Sequence, residues 1–165
     1  MNSIRFAFAA LRPSCALFAA AATVLAAGTI SLAHEGATGV VKDRMDLMDG
    51  QKEDMKLIGD MAKGNTPFDA AKAAEAARHI SVTSKQIPEL FPEGSGGGKS
   101  DALPSIWEDF DRFTKSAEDL DRAAADLATA LDANSPDWKG AFQKVSDGCK
   151  ACHQDFRAKK QDRQR

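Results

Sequence analysis

The sequence has little that would build a β-sheet and few cysteine and histidine residues. No stretch alternates between polar and apolar residues, and β-branched residues hardly cluster. The chain contains only three cysteines and three histidines, and its formal net charge is −2. A mildly acidic protein has no electrostatic reason to bind nucleic acid or an anionic membrane. These shortages leave a helical protein whose chemistry depends on very few side chains.

Residues 1–33 differ in composition from the remainder of the chain. Arg5 and Arg12 are followed by an alanine-rich apolar run, with no acidic residue before the small-residue pattern Ser31-Leu32-Ala33. This pattern is typical of a signal peptide cleaved after Ala33. We therefore predict export to the periplasm and a mature chain of residues 34–165. A retained membrane anchor is the alternative, which the weak hydrophobicity of the run disfavours.

Cleavage there would change both the charge and the cysteine count. It removes two arginines and no acidic residue, so the formal net charge falls from −2 to −4. It also removes Cys15 and leaves two cysteines, which would usually form a disulfide in an oxidising compartment.

The mature chain shows apolar spacings of three, four and seven residues, which are typical of amphipathic helices. Proline, glycine and capping residues separate four such segments, and the longest connection is the loop before Pro104. We predict an all-α fold, an antiparallel up-down-up-down four-helix bundle. The predicted helices run from about Val40 to Lys63, from the cap Thr66-Pro67 to Gln86, from Pro104 to Ala133 with one continuous apolar stripe, and from the cap Asn134–Asp137 to Lys160.

The last predicted helix carries Cys149, Cys152 and His153 in the pattern C-K-A-C-H. A redox C-x-x-C pair normally accompanies a βαβ pattern, which this sequence does not have. A zinc site would need two more ligands, and only His34 and His79 remain in the mature chain. Covalent haem needs two thiols for the porphyrin vinyl groups and a following imidazole for the iron. The motif therefore predicts one haem c, with Cys149 and Cys152 as thioethers and His153 as the proximal iron ligand.

With its haem motif on the last helix of a bundle, the mature chain resembles the class II c-type cytochromes, the cytochrome c′ family. The resemblance rests on Arg44 in the first helix, on the segments 90–95 and 102–107, and on Cys149–His153 through Phe156-Arg157. Family members often have tyrosine at the position of Phe156.

The resemblance implies a choice between two kinds of iron site. In the high-spin branch the iron has one protein ligand, whereas in the low-spin branch a methionine four residues after a polar residue is the second. Met48 follows Arg44 by four residues, so we predict the low-spin branch with His153 and Met48 on iron. Met45, Met48 and Met55 share one helical face, and the alternative is that all three only fill the core.

Further side chains are predicted around the haem. Arg44 is one turn before Met48 and Arg157 is four residues after His153, so each guanidinium is a candidate contact for a propionate or for the proximal imidazole. Trp107 and Phe156 are predicted to pack against the porphyrin.

Iron with two protein ligands has no position open for a gas or a substrate. We therefore predict one-electron transfer, with transient redox-protein partners, no enzymatic activity, and a monomer or homodimer. The alternative is a five-coordinate haem protein that binds nitric oxide or carbon monoxide. A third hypothesis is a haem-free metal-binding protein that uses Cys149, Cys152, His153 and His34.

Overall fold

The computed structural model describes residues 37–159, and within this range the chain folds as a four-helix bundle. The all-α prediction is therefore confirmed, and extended backbone in these residues pairs only at an isolated antiparallel bridge between Ala102 and Arg157. The predicted cleavage site at Ala33 lies outside the described residues. The helices are α1 (Gly39–Lys63), α2 (Ala70–Gln86), the short α3 (Ser105–Glu108), α4 (Phe110–Asp132) and α5 (Trp138–Phe156), with a 3-10 helix at Pro88–Leu90.

The first helix has the predicted bounds to within one residue. It ends at Gly64, whose φ of 77° is left-handed and whose backbone N–H donates to the carbonyl oxygens of Asp60 and Met61. The methionines of α1 are half-buried beside a more buried seam, which contains Arg44, Gln51 and Ile58. The face of α1 that carries the methionines is therefore not its most buried face.

The second helix begins later than predicted. Thr66-Pro67 does not cap it, because Asp69 is the N-cap and its carboxylate accepts a hydrogen bond from the backbone N–H of Lys72 at 3.1 Å. An aspartate carboxylate is a strong N-cap acceptor, and this bond is the largest cause of the lowered pKa of Asp69.

The predicted third helix is two helices, because the chain turns at Asp109 (φ −140°, ψ 62°) between α3 and α4. The Asp109 carboxylate accepts hydrogen bonds from the backbone N–H and the Nε of Arg112, at 3.3 and 3.0 Å. Phe110 is one of the residues of the apolar stripe predicted for a single helix in this segment. Because the chain breaks at Asp109, Phe110 leaves that stripe and its side chain is 38% exposed.

The last helix ends before the predicted Lys160. The carbonyl of Phe156 accepts a hydrogen bond from the backbone N–H of Leu103 at 3.0 Å, and the N–H of Ala158 donates to the Asp101 carbonyl at 2.8 Å. These bonds tie the end of α5 to the segment that precedes α3.

The core lies mainly between α2, α4 and α5, and α1 packs chiefly on α2. Small alanines on α2 allow α4 to approach closely, and larger side chains on α4 and α5 fill the centre. The buried residues are Ala73, Ala74 and Ala77 on α2, Phe113, Leu120, Leu127 and Leu131 on α4, and Val145 and Phe156 on α5.

No helix within residues 37–159 is both long enough and apolar enough to cross a bilayer.

We predict that Asp109→Ala destabilises the holoprotein by about 1 kcal/mol, because α4 loses its N-cap. Urea unfolding followed by circular dichroism measures the loss. Asp111→Ala is the control, since Asp111 lies in the same first turn of α4 without being its cap. Equal losses in the two variants would show that the Asp109 cap does not stabilise α4.

Candidate haem site

Helix α5 places the two thiols and the imidazole within its last two turns. Cys149 and Cys152 are three residues apart, about one helical turn, and His153 follows directly. Both cysteines are free thiols, half-buried against the apolar core. Two free thiols one turn apart beside an imidazole are the donor set that a covalently attached haem requires.

The surroundings keep these groups in their neutral forms. Burial raises the pKa of Cys149. Burial, together with the neighbouring Cys149 and Asp155, raises the pKa of Cys152 to about 11. His153 is exposed by its accessible surface, yet enough protein surrounds the imidazole for desolvation, and then the charge of Arg157, to lower its pKa. The neutral imidazole is the form that binds a metal ion.

Helices α1 and α5 meet at one end of the bundle. A Cβ added to Gly59 on α1 would lie 3.5 Å from Cζ of Phe142 on α5, and Lys139 Nζ donates to the Ala62 carbonyl at 2.9 Å. The helices run antiparallel, so equal steps away from this contact reach the same level of the bundle. Eleven residues back from Gly59 is Met48, and eleven residues on from Phe142 is His153. Met48 therefore lies at the level of His153, about 16 Å from the contact.

Met48 thus lies on α1, the helix across from α5, at the level of His153, where the sequence also places it. Its position does not distinguish a methionine that binds iron from one that only covers the distal side. Met48 is half-buried and packs against the core cluster, as do Met55 and Met61.

Arg44 lies one turn before Met48 and is buried, with 5% of its surface exposed. Its Nε donates to the Leu90 carbonyl at 3.1 Å, its Nη1 to Ser100 Oγ at 3.0 Å and its Nη2 to Ser95 Oγ at 2.7 Å. The guanidinium also lies 4.1 Å from the centre of the Phe91 ring. Arg44 thus organises the long loop between α2 and α3, a role that the sequence did not reveal.

Arg157 lies at the end of α5, where its Nη2 is 3.4 Å from Asp101 Oδ2. About half of its side chain is exposed, so this ion pair is weak. The structure thus shows a carboxylate partner for Arg157, whereas the hydrogen bonds of Arg44 to Leu90, Ser95 and Ser100 go to neutral oxygens.

Trp107 and Phe156 belong to an aromatic cluster beside the haem motif. Trp107 Nε1 donates to the carbonyls of Phe91 and Pro92 at 3.1 and 3.0 Å. Phe156 is 3% exposed and meets Phe113 edge to face, with 5.2 Å between ring centres. A Cβ on Gly96 would come within 2.9 Å of the Trp107 ring, so the loop needs glycine there.

The haem-free metal hypothesis has no support in the described part of the chain. Among residues 37–159, no group of three or more histidine, cysteine, aspartate or glutamate side chains is placed to hold a metal ion. His79 is paired with Asp54, with 2.5 Å between Nδ1 and Oδ2, and His34 lies outside the described residues.

Comparison with known proteins gives the family. The family model described as Cytochrome C′ matches residues 39–157. Cytochrome c-554 of Cereibacter sphaeroides is 36% identical over 124 residues, which cover 73% of this chain and 93% of that protein. Cytochrome c′ of Rhodopseudomonas palustris is 39% identical over 127 residues, covering 74% of this chain and 84% of that protein.

One solved structure with the same fold is a complex with a gas ligand. It is the nitric oxide complex of a cytochrome c prime variant from Alcaligenes xylosoxidans, with a TM-score of 0.67 and 30% identity, covering 73% of this chain and 94% of that one. The fold, the placement of the haem motif on α5 and these matches agree. This chain belongs to the cytochrome c′ family, the class II c-type cytochromes, and it carries covalent haem c with its iron.

The prediction of a low-spin cytochrome with His153 and Met48 on iron, acting in one-electron transfer, is wrong. The family model and several of the relatives are cytochrome c′, whose members are typically five-coordinate, and this agrees with the alternative stated from the sequence. The error has a physical origin. A thioether that binds iron and one that packs over the distal side need the same helix face and the same level, so spacing from Arg44 does not separate them.

The thioether prediction is testable by mass. We expect the wild-type chain to have the mass of the polypeptide plus one haem after denaturation, and the double variant Cys149→Ala/Cys152→Ala to have the polypeptide mass alone. Lys150→Ala is the matched control because this exposed side chain lies between the two cysteines. Haem that survives denaturation in the double variant would contradict the assignment.

We predict that Arg44→Met destabilises the holoprotein by about 2 kcal/mol, since it removes hydrogen bonds from a charged donor to two serines and a carbonyl. Amide exchange should rise in residues 91–100, which these bonds hold. Arg157→Met is the control, with a loss below about 1 kcal/mol expected for a half-exposed ion pair. Unchanged exchange in the loop would refute the role of Arg44.

Proposed function

We propose that this chain is a five-coordinate haem protein that binds nitric oxide or carbon monoxide on the distal side, with His153 as the single protein ligand of the iron. The observation that carries the proposal is membership of the cytochrome c′ family, in which a solved relative is described as a nitric oxide complex. Gas binding makes it a binding protein rather than an enzyme.

When bound, haem c would supply an iron that can bind a diatomic gas. His153 holds the proximal side and is positioned by Cys149 and Cys152 on the same turn of α5. A neutral imidazole is required for this bond, and the lowered pKa of His153 favours that form.

Met48 covers the distal side in this proposal. It lies at the level of His153 on the facing helix and is half-buried at the edge of the core. An apolar side chain there excludes water and larger ligands, and its flexible thioether can move aside for a small gas molecule. The distal side thereby selects ligands by size rather than by hydrogen bonding.

The polar contacts of the haem are assigned by charge. Arg44 is a buried cation whose hydrogen bonds to Leu90, Ser95 and Ser100 go to neutral oxygens, and burial lowers its pKa. A haem propionate near Arg44 would neutralise this charge at low cost. Arg157 already has Asp101 as a partner, so its propionate contact would be shared with that carboxylate. Trp107 and Phe156 would pack against the porphyrin from their aromatic cluster.

Export to the periplasm, through cleavage after Ala33, belongs to the same proposal. Covalent haem is compatible with that oxidising compartment, because it leaves neither cysteine free to form a disulfide. Transient redox partners and the choice between monomer and homodimer stay predictions.

Carbon monoxide titration of the ferrous holoprotein tests the function. We expect a saturable spectral change with one gas molecule per haem, and the same stoichiometry with nitric oxide. A ferrous spectrum that does not change under either gas would refute gas binding.

We predict that Met48→Leu leaves the ferric spectrum high-spin and unchanged, since leucine covers the distal side as methionine does. Met48→Ala should speed carbon monoxide association by roughly tenfold or more, because a smaller side chain leaves less to displace. Met55→Leu, two turns along the same helix, is the control and should change neither. A ferric spectrum that differs between wild type and Met48→Leu would show that Met48 binds iron.

A further inference from the structure

Helix α1 is fixed in the bundle by a seam that is mostly polar. The most buried side chains along it recur every seven residues at Arg44, Gln51 and Ile58, and two of these three are polar. Apolar packing tolerates sliding and rotation of a helix, whereas hydrogen bonds between buried groups set its register. The position of α1 over the site therefore depends on where these two side chains bind.

Gln51 joins α1 to α2 through its amide. Nε2 lies 3.0 Å from Thr83 Oγ1, 3.2 Å from Ser84 Oγ and 3.5 Å from the Ile80 carbonyl oxygen, and the residue is 5% exposed. The two hydroxyl hydrogens are already used, because Thr83 Oγ1 donates to the His79 carbonyl and Ser84 Oγ to the Ile80 carbonyl, each at 2.7 Å. Both hydroxyl oxygens can thus accept from Gln51 but not donate to it, and the amide has one orientation.

This polar contact is next to the distal residue. Gln51 follows Met48 by three residues, so the two side chains are neighbours on the surface of α1. The apolar contact between Gly59 and Phe142 holds α1 two turns further along, at the other end of its interface with α5. Between that contact and the loop bound by Arg44, Gln51 is the buried side chain that fixes the rotation of α1.

We propose that Gln51 is a positioning residue that holds Met48 over the distal side of the haem and so sets how fast a gas ligand binds. The proposal rests on the proposed gas-binding function and adds a residue that touches neither haem nor ligand. Loss of the Gln51 bonds lets the first half of α1 rotate or move away from α5. Met48 then yields more easily to an incoming ligand.

The test is Gln51→Met in the holoprotein, a variant of similar length that removes the amide. We expect amide exchange in residues 44–52 to rise by roughly fivefold, the equivalent of about one net hydrogen bond, and carbon monoxide association to the ferrous protein to rise by a similar factor. Thr83→Val is the second variant. It deletes one acceptor at a half-buried position, leaves Gln51 in place, and should give a smaller change in the same direction.

Ser81→Ala is the matched control. Ser81 lies on the same helix as Thr83 and is 8% exposed, and its Oγ donates to Asp121 Oδ1 at 2.6 Å, a bond from α2 to α4 rather than to α1. It should lower the stability of the protein without changing exchange in residues 44–52 or the rate of carbon monoxide association. If Gln51 had only a structural role, Gln51→Met and Thr83→Val would behave like Ser81→Ala. All three would lower the stability of the protein without changing the rate of carbon monoxide association.

The outcomes separate the two proposals. If amide exchange in residues 44–52 changes in neither Gln51→Met nor Thr83→Val, the positioning role of Gln51 is overturned. The same holds if exchange rises while carbon monoxide association stays at the wild-type rate. A wild-type ferrous protein that binds neither carbon monoxide nor nitric oxide refutes the gas-binding function itself, and with it the control of ligand rate. Exchange in the variants then decides separately whether Gln51 positions α1.

Discussion

The packing of α4 against both α2 and α5 is the constraint on which the haem site depends. Alanines on α2 let α4 approach, and the leucine and phenylalanine side chains of α4 reach α5, so these helices share one apolar core. The helix that carries Cys149, Cys152 and His153 is therefore joined to this core through its packing on α4, with Val145 and Phe156 buried. A rigid proximal helix keeps the imidazole and both thioethers in fixed positions, which covalent attachment of a planar cofactor requires.

The distal helix is attached differently. Helix α1 meets α5 near Gly59 and Phe142, and it is joined to α2 and the long loop by the hydrogen bonds of Gln51 and Arg44. The site thus lies between a helix held by apolar packing and a helix held by directional polar bonds. Such an arrangement ties α5 to the apolar core while leaving the position of α1 sensitive to single residues. This difference gives the gas-binding proposal its physical basis.

Much of this could be predicted from the sequence, because the signals were local. The C-x-x-C-H spacing carries its own chemistry, and apolar periodicity gave the bundle and the bounds of α1. Competition between nearby capping residues was harder to predict. Asp69 caps α2 in place of Thr66-Pro67, and Asp109 divides a segment whose apolar stripe suggested one helix. The roles of Arg44 and Gln51 depend on partners on a distant loop and on another helix, so only the seven-residue spacing to Ile58 hinted at them.

Spacing along the sequence could not predict whether Met48 binds iron. Helix face, level and distance from Arg44 are the same for a methionine that binds iron and for one that covers an open position. The difference lies in whether the sulfur comes within bonding distance of the iron, which depends on how α1 is held. Electron paramagnetic resonance of the ferric wild-type holoprotein reports the number of strong ligands on the iron most directly. We expect a high-spin signal from iron with His153 as its single protein ligand, whereas a low-spin signal would show that a second protein ligand is bound.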